Sequence, residues 1–446
     1  MDGPLAARFI RNIDANRTIK DALVAAVGAG RPRWRISVTD LVNPAQAYYR
    51  WKRPEIRPTL DRLQLMMAGT GFHDVFGKII STEEFVEQTL ELDGIVGKVD
   101  IYEDVLVEVK TTSSIPADIY EGRNSYFEQL GMYCALAGNP EGRLYVYQRE
   151  SDWQSSELRV YSAEFLDLAG IGEEMRRRRD LFQDAMDRED PSGLPRCEWM
   201  ERGCDYSKVC ECKNAEEGSR LVPRDSVVIE PRNDIAADLK NQLVKARPPS
   251  TGLRLNDLVF PRKTALRRGQ ASPSAEGSSR SRMSQIQQMG FHQALGSAMR
   301  YGSPGQFKIA PVRLGSIDDR VQLYQDAPTI LRAPKLRDMI ERSELARFFS
   351  HYFDRIAFEC SLVGSKRGRV ILYYETIPGD KFMVYDVIFA ELDAIREEAQ
   401  RRLDLLEAGA PAGELPACPT WMAKYCNFAP GCGCGLRAEQ NVPRLF

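Results

Sequence analysis

GIVGKVDIYEDVLVEVKTT, residues 94–112, decides how the rest of the chain reads. Gly94 and Gly97 punctuate its approach, Val99 and Ile101 flank Asp100, and the run VLVEVK alternates as a half-buried strand does. Successive strand side chains project to opposite faces, so Glu108 and Lys110 share one face while Val107 and Val109 point into the core. A preceding strand that closes at Asp100 brings a second carboxylate to Glu108. Two hard oxygen ligands with an ammonium beside them suit Mg²⁺ or Mn²⁺. The same set suits phosphodiester hydrolysis, in which metal-bound water attacks and cations neutralise the charge developing on phosphate. Taken alone, D-x7-E-x-K is a weak signal, and these residues are read more readily as a surface hairpin whose acid and base pair across one face.

Two further features extend the pattern. The stretch GFH, residues 71–73, ends in His73, and YFEQLGMYCALAG, residues 126–138, places Gln129 and Tyr133 four apart on one helix face. A glycine-preceded histidine, then D…ExK, then QxxxY resembles the RecB-like branch of the PD-(D/E)xK nuclease superfamily. Within it the chain is most similar to the CRISPR-associated iron–sulphur exonuclease family, the fourth Cas protein. The resemblance implies that His73, Asp100 and Glu108 bind metal together with the main-chain carbonyl of Val109. It implies that Lys110 positions the attacking water and that Gln129 and Tyr133 contact the active site and DNA. The expected fold is α/β (α+β): two restriction-endonuclease-like cores, each a mixed sheet flanked by helices and closed by a cysteine segment. The expected activity is that of a Mg- or Mn-dependent deoxyribonuclease, an exonuclease processing DNA ends or single strands. CRISPR adaptation or recombination proteins are the partners it implies. A non-catalytic DNA-end or protein-binding scaffold is the alternative.

A chain of 446 residues exceeds the usual size of one compact core. With 43% hydrophobic and 28% charged residues it can bury proper cores and stay in solution. The formal net charge of −2 supplies no global basic field, so DNA contacts must come from local Lys and Arg patches. No signal peptide or bilayer-length apolar run is seen, so the expectation is a cytoplasmic protein with no membrane partner. Ten cysteines in a reducing compartment argue for metal binding over disulfides.

The second half repeats the first. TDLVNPAQAYYR (39–50) aligns with NDLVFPRKTALR (256–267), GFH (71–73) with GFH (290–292), and VDIYED (99–104) with VQLYQD (321–326). YFEQLGMYCALAG (126–138) aligns with YFDRIAFECSLVG (352–364), and the two cysteine-rich segments align with each other. Matching order over five blocks marks a tandem duplication. It gives an active nuclease domain, 1–222, and a degenerate one, 223–446. The catalytic positions are the ones that changed: Gln322 replaces Asp100, Ile330 replaces Glu108, Arg332 replaces Lys110, Arg355 replaces Gln129 and Glu359 replaces Tyr133. The second half should therefore bind no catalytic metal, and its two arginines are expected to form a cationic pocket for phosphate. His292 survives there, most simply as a structural residue.

Eight cysteines fall in two quartets. Cys197, Cys204, Cys210 and Cys212 read C-x6-C-x5-C-x-C, and Cys418, Cys426, Cys432 and Cys434 read C-x7-C-x5-C-x-C. Structural zinc usually has paired spacings of two to four residues, which these lack. The segment around Tyr206 resembles the family's iron–sulphur segment, which implies one cluster per half, 4Fe–4S, with zinc as the alternative. The family's N-terminal cysteine ligand is absent from ISVTDLVNPAQAYYRW (36–51), so Cys212 would replace it. Cys134 and Cys360 read as core thiols. Residues 1–33 read as helical, Ser37 or Thr39 as a helix cap, Arg176–Arg179 as a solvated helix face and 267–285 as a flexible basic loop.

Overall fold

The computed structural model describes residues 8–29, 34–149, 156–197, 204–210, 220–244, 252–269, 279–419, 426 and 428. The fold is α+β: two mixed sheets flanked by helices, one sheet in each of two compact units. The first sheet has seven strands. They are β2 (Ile36–Ser37), β3 (Val86–Leu92), β4 (Ile95–Tyr102), β5 (Leu106–Thr112), β6 (Glu141–Gln148), β7 (Glu157–Phe165) and β8 (Val227–Pro231). Its order is β2-β4-β5-β6-β7-β8, with β3 also paired to β4. The second sheet runs β1 (Ile10–Ala15), β13 (Phe382–Phe389), β12 (Arg367–Tyr373), β11 (Ala327–Arg332), β10 (Ile317–Tyr324) and β9 (Phe307–Leu314). In each sheet the second strand of the central hairpin is parallel to the next strand in the chain, β5 to β6 and β11 to β12. A helix makes each of these crossovers, as parallel pairing requires.

The helices that matter to the site are α1 (Arg17–Gly28), α2 (Val38–Val42), α3 (Pro44–Lys52), α4 (Leu60–Ile80), α5 (Asn124–Ala137) and α6 (Leu168–Arg188). Their counterparts downstream are α7 (Asn233–Val244), α8 (Leu255–Val259), α9 (Pro261–Gly269), α10 (Ser279–Gly302), α11 (Ser350–Val363) and α12 (Leu392–Glu407). Ser37 caps α2 in a capping box with Asp40, as its position suggested. Both α5 and α11 end on a left-handed glycine, Gly138 and Gly364, where the missing Cβ removes the strain of positive φ.

The compact units cut across the 1–222 and 223–446 repeats. One unit joins 1–27, 247–275 and 296–446, and the other joins 28–246 and 276–295. Residues 10–15 are therefore not helical as the sequence suggested. They form β1, which pairs antiparallel with β13 through matches such as Ile13 with Val387. Only Ile10 and Ile13 turn toward that core, so the strand has no clean alternation to announce it. The equivalent segment, β8 and α7, completes the sheet of the other unit by pairing with β7. Each repeat thus opens with a strand and helix that finish the sheet begun in the other repeat. The 267–285 stretch is helical at both ends, in α9 and α10, and its middle, 270–278, lies outside the described residues.

A buried arginine clamp recurs in both units. Arg178 donates to the Leu41 carbonyl (3.0 Å), to Glu128 Oε2 (3.1 Å) and to Glu174 Oε1 (3.1 Å). Arg402 donates likewise to the Leu258 carbonyl (2.8 Å) and Glu398 Oε1 (2.9 Å), with Asp354 3.7 Å away. This corrects the solvated-face reading of Arg176–Arg179: Arg178 points inward, while Arg176, Arg177 and Arg179 pair with Asp93, Glu174 and Asp180. Burying a guanidinium is tolerable only because carboxylates and a carbonyl meet its N–H groups.

Within the unit that holds the first sheet, α4 and the first part of α10 meet at Gly71 and Gly290. A Cβ on either glycine would overlap the carbonyl of the other, and about one helical turn farther along the Gln293 amide donates to Asp74. Gly71→Ala is expected to destabilise the protein by roughly 1–3 kcal/mol, since overpacking outweighs the gain of about 1 kcal/mol in helix propensity. Urea unfolding would measure it, and a midpoint at or above wild type would contradict the close crossing. No helix among the described residues is long and apolar enough to cross a membrane.

Candidate active site

The central hairpin is short. Only Ile101 with Val107 and Tyr102 with Leu106 pair between β4 and β5, and then the strands part as β5 turns to β6. The next opposed residues in that register are Asp100 and Glu108, whose side chains emerge on one face where the ladder opens. Asp100 Oδ2 accepts a hydrogen bond from the Val109 N–H at 2.8 Å, so a side chain takes over where a strand carbonyl would have served. Strand β5 is buried on both faces, not half-buried as its alternation suggested, because it runs parallel to β6 between two helical layers.

Helix α4 brings His73, whose Nδ1 stands 3.3 Å from Asp100 Oδ1. Lys110 Nζ donates to Glu108 Oε1 (2.5 Å) and to Gln129 Oε1 (2.8 Å). Gln129 Nε2 donates in turn to the Tyr133 hydroxyl (2.9 Å), which also meets the Thr39 side chain. All six residues suggested by the sequence, His73, Asp100, Glu108, Lys110, Gln129 and Tyr133, therefore form one connected group. Val109 joins it through its N–H, with its side chain in the core. Tyr126 was not singled out in the sequence. Its ring lies 5.5 Å from Lys110 Nζ, and its place three residues before Gln129, on the same helix face, was the available signal.

The two carboxylates titrate apart. Burial pushes Glu108 up to about 7, with Asp100 adding to the rise and Lys110 opposing it. Burial acts on Asp100 in the same direction, but His73, Lys110 and the Val109 N–H outweigh it and hold Asp100 below the ordinary carboxylate range. For Lys110, burial works against the charge, and Glu108 and Asp100 overcome it, raising its pKa and keeping it an ammonium. Burial raises Tyr133 well above the usual phenol range, so its hydroxyl keeps its proton. One carboxylate ionised and one poised near neutrality is a division of labour common to hydrolytic sites.

Glu108 Oε2 is buried and makes no hydrogen bond. An orphaned carboxylate oxygen beside Asp100 and an imidazole is a donor set that fits a hard divalent ion. As the side chains stand, no three His, Cys, Asp or Glu residues among the described ones are gathered tightly enough to hold a metal. Lys110 holds Glu108 Oε1 and His73 stands against Asp100 Oδ1 instead.

The second copy differs in chemistry and in register. Lys110 and Tyr126 are mirrored by Arg332, whose guanidinium lies 5.3 Å from the Tyr352 ring. Arg355 donates to Glu359 (2.5 Å) and lies 3.6 Å from Asp319, so its charge is met internally, which corrects the expectation of two arginines available to phosphate. The hairpin turn is also tighter. Gln325 and Asp326 both adopt positive φ, a two-residue turn, and Tyr324 pairs with Ala327. In the first copy Tyr102 pairs four residues on, with Leu106, whereas Tyr324 pairs only three residues on. The ladder has slipped by one, which turns the face across from Gln322 away from Ile330.

Of the first cysteine quartet, Cys197, Cys204 and Cys210 are described as thiols and Cys212 lies outside the described residues. Of the second, Cys418 and Cys426 are described and Cys432 and Cys434 are outside. Helix α3 lies against the first segment: Gln46 Nε2 stands 3.7 Å from Cys204 Sγ, and Tyr49 stacks on Tyr206 at 6.3 Å between ring centres. Cys134 and Cys360 are fully buried at matching helix positions, and burial raises both thiols far above their usual range.

No family model and no curated protein matches the sequence. Among solved structures, a chain described as the crystal structure of SSO0001 is similar over 45% of this chain and 96% of its own, at 15% identity and a TM-score of 0.31. That likeness is too weak to assign fold family or function.

Proposed function

We propose that the chain is a metal-dependent deoxyribonuclease that processes DNA ends, with one catalytic centre, in the first repeat, and a second repeat without one. The observation that carries this reading is the meeting of Asp100 and Glu108 at the opening of the β4–β5 ladder, with Lys110 bridging Glu108 to Gln129. His73, Asp100 and Glu108 would hold a Mg²⁺ or Mn²⁺ ion, which when bound supplies Lewis acidity and an activated water for phosphodiester hydrolysis. Lys110, kept protonated, stabilises negative charge building on the phosphate and fixes the position of the attacking water. Gln129 orients the ammonium, and Tyr133 orients Gln129 in turn. The resemblance to RecB-like nuclease motifs supports the same assignment.

The cysteine quartets belong to this proposal as iron–sulphur ligands, one 4Fe–4S cluster per repeat, with CRISPR adaptation or recombination proteins as the class of partner. Purified protein incubated with end-labelled DNA is expected to degrade it with Mn²⁺ and not with EDTA. Anaerobic preparations are expected to contain iron and acid-labile sulphide, with about half of each lost in Cys204→Ser. Stoichiometric zinc without iron would overturn the cluster, and absence of Mn²⁺-dependent cleavage would overturn the nuclease.

A further inference from the structure

The duplication acts as an internal control. Side chains that only hold the fold recur in both repeats, as Arg178 and Arg402 do, whereas the groups of the catalytic centre stand in one. Two arginines beside the centre follow the second pattern. Arg149 directly follows β6, and its N–H donates to the Thr112 carbonyl at 2.9 Å, two residues beyond Lys110 on β5. In the second repeat the same backbone bond is kept, from the Glu375 N–H to the Pro334 carbonyl at 3.3 Å. The position is structurally equivalent, yet its charge is reversed. Arg123, the residue preceding α5, is matched by Phe349, the residue preceding α11. Phe349 is buried and stacks on Tyr352, whereas the Arg123 guanidinium reaches Thr112 Oγ1 (3.4 Å) and the Ser114 carbonyl (3.5 Å).

Among the described residues, no side-chain partner gives Arg149 a structural task. Its Nε is buried and makes no hydrogen bond among the described residues, and no carboxylate there pairs with it. Burial lowers its pKa, with Tyr126 and Tyr147 the described groups that oppose the fall. Tyr126 is also the ring next to Lys110, so the same aromatic side chain acts electrostatically on both cations. A half-buried cation with an unpaired Nε and no counter-charge among the described residues is stabilised when a ligand supplies one. Phosphate is the anion that a guanidinium meets with two parallel hydrogen bonds.

We infer that Arg149, assisted by Arg123, forms a phosphate subsite that binds the phosphate neighbouring the scissile one, beyond Lys110, and so makes the site one for a polynucleotide rather than an isolated phosphodiester. The inference rests on the nuclease reading. It is tested in the full-length protein with Arg149→Ala, checked by thermal melting for intact folding, on two substrates. One is a single-stranded oligodeoxynucleotide; the other is bis(p-nitrophenyl) phosphate, which has no neighbouring phosphate. The oligonucleotide KM is expected to rise about tenfold or more and the salt dependence of binding to fall by about one unit of slope. Hydrolysis of the small diester should stay at the wild-type rate, and Arg149→Lys should recover part of the oligonucleotide effect. Unchanged KM and slope, or equal losses on both substrates, would overturn the subsite. If wild-type protein cleaves neither substrate, the nuclease reading fails by itself. The subsite is then decided by oligonucleotide binding in EDTA, where equal salt slopes for wild type and Arg149→Ala overturn it and a loss of about one unit upholds it.

Discussion

Glu108→Gln is expected to lower Mn²⁺-dependent DNA cleavage by at least about 10²-fold while raising the melting temperature of the metal-free protein above pH 7. The loss of activity follows from removing the charge of one of the two carboxylates, the one whose oxygen Lys110 holds at 2.5 Å. Asp100→Ala and Lys110→Ala should lose as much, the first by removing the other ligand and the second by removing the ammonium. The gain in stability follows from burial. The folded-state pKa of Glu108 lies near 7, above the ordinary value of 4.5. The folded state therefore binds this proton more tightly than the unfolded state, and the contribution to stability is complete below about pH 4.5 and lost as pH rises through 7. Glutamine does not titrate, so the variant keeps what wild type loses. The difference in melting temperature should be small at pH 5 and largest near pH 8, in EDTA. A variant as active as wild type would mean that the site lies elsewhere, and a melting difference that does not grow with pH would contradict the buried, poised carboxylate. Opposite signs for function and stability are what a buried carboxylate kept for its chemistry should give.

The hairpin, the helix carrying Gln129 and the duplication were legible because each rests on local patterning: strand alternation, a four-residue helical step, and repeated words in the same order. The connected group from His73 to Tyr133 was legible for a related reason, since its six residues lie on elements whose faces the sequence already fixes. What escaped was set by partners distant in the chain. Arg178 looks like its neighbours in an Arg-rich run until Glu128 and the Leu41 carbonyl, 50 and 137 residues away, draw it inward. Strand β1 pairs with residues some 370 positions later, and as an edge strand with two apolar contacts it carries no alternation. The register slip in the second hairpin needs no insertion or deletion. Ala327 is simply drawn into the ladder by a tighter turn, a choice between two turn geometries that Gln325 and Asp326 do not advertise, because neither is glycine.

A protein ending at residue 222 is expected not to fold cooperatively, although the repeat boundary falls there. The first sheet would lose β8 and leave β7 as an open edge, a template for association with other chains. It would also lose α7 and the first part of α10, which place Ala236, Leu239, Leu243, Met283 and Ile286 in the same buried cluster as Phe72, Val109 and Tyr147. At about 1.5–3 kcal/mol for each large apolar side chain, the loss is of the order of 10 kcal/mol, comparable to the whole stability of a typical domain, roughly 5–15 kcal/mol. The truncated chain would meanwhile keep β1, whose partner β13 and the cluster around Val387 it lacks. Residues 28–302 retain every strand of the first sheet together with α7 and α10. That longer piece should therefore be soluble and show a cooperative urea transition, whereas 1–222 should aggregate or show none. If 1–222 unfolds cooperatively with a midpoint near that of 28–302, the exchanged strand–helix segments contribute little, and the two repeats are independent domains after all. If it does not, loss of activity in 1–222 says nothing about a role of the second repeat in binding DNA, because the first sheet is completed by residues that the cut removes.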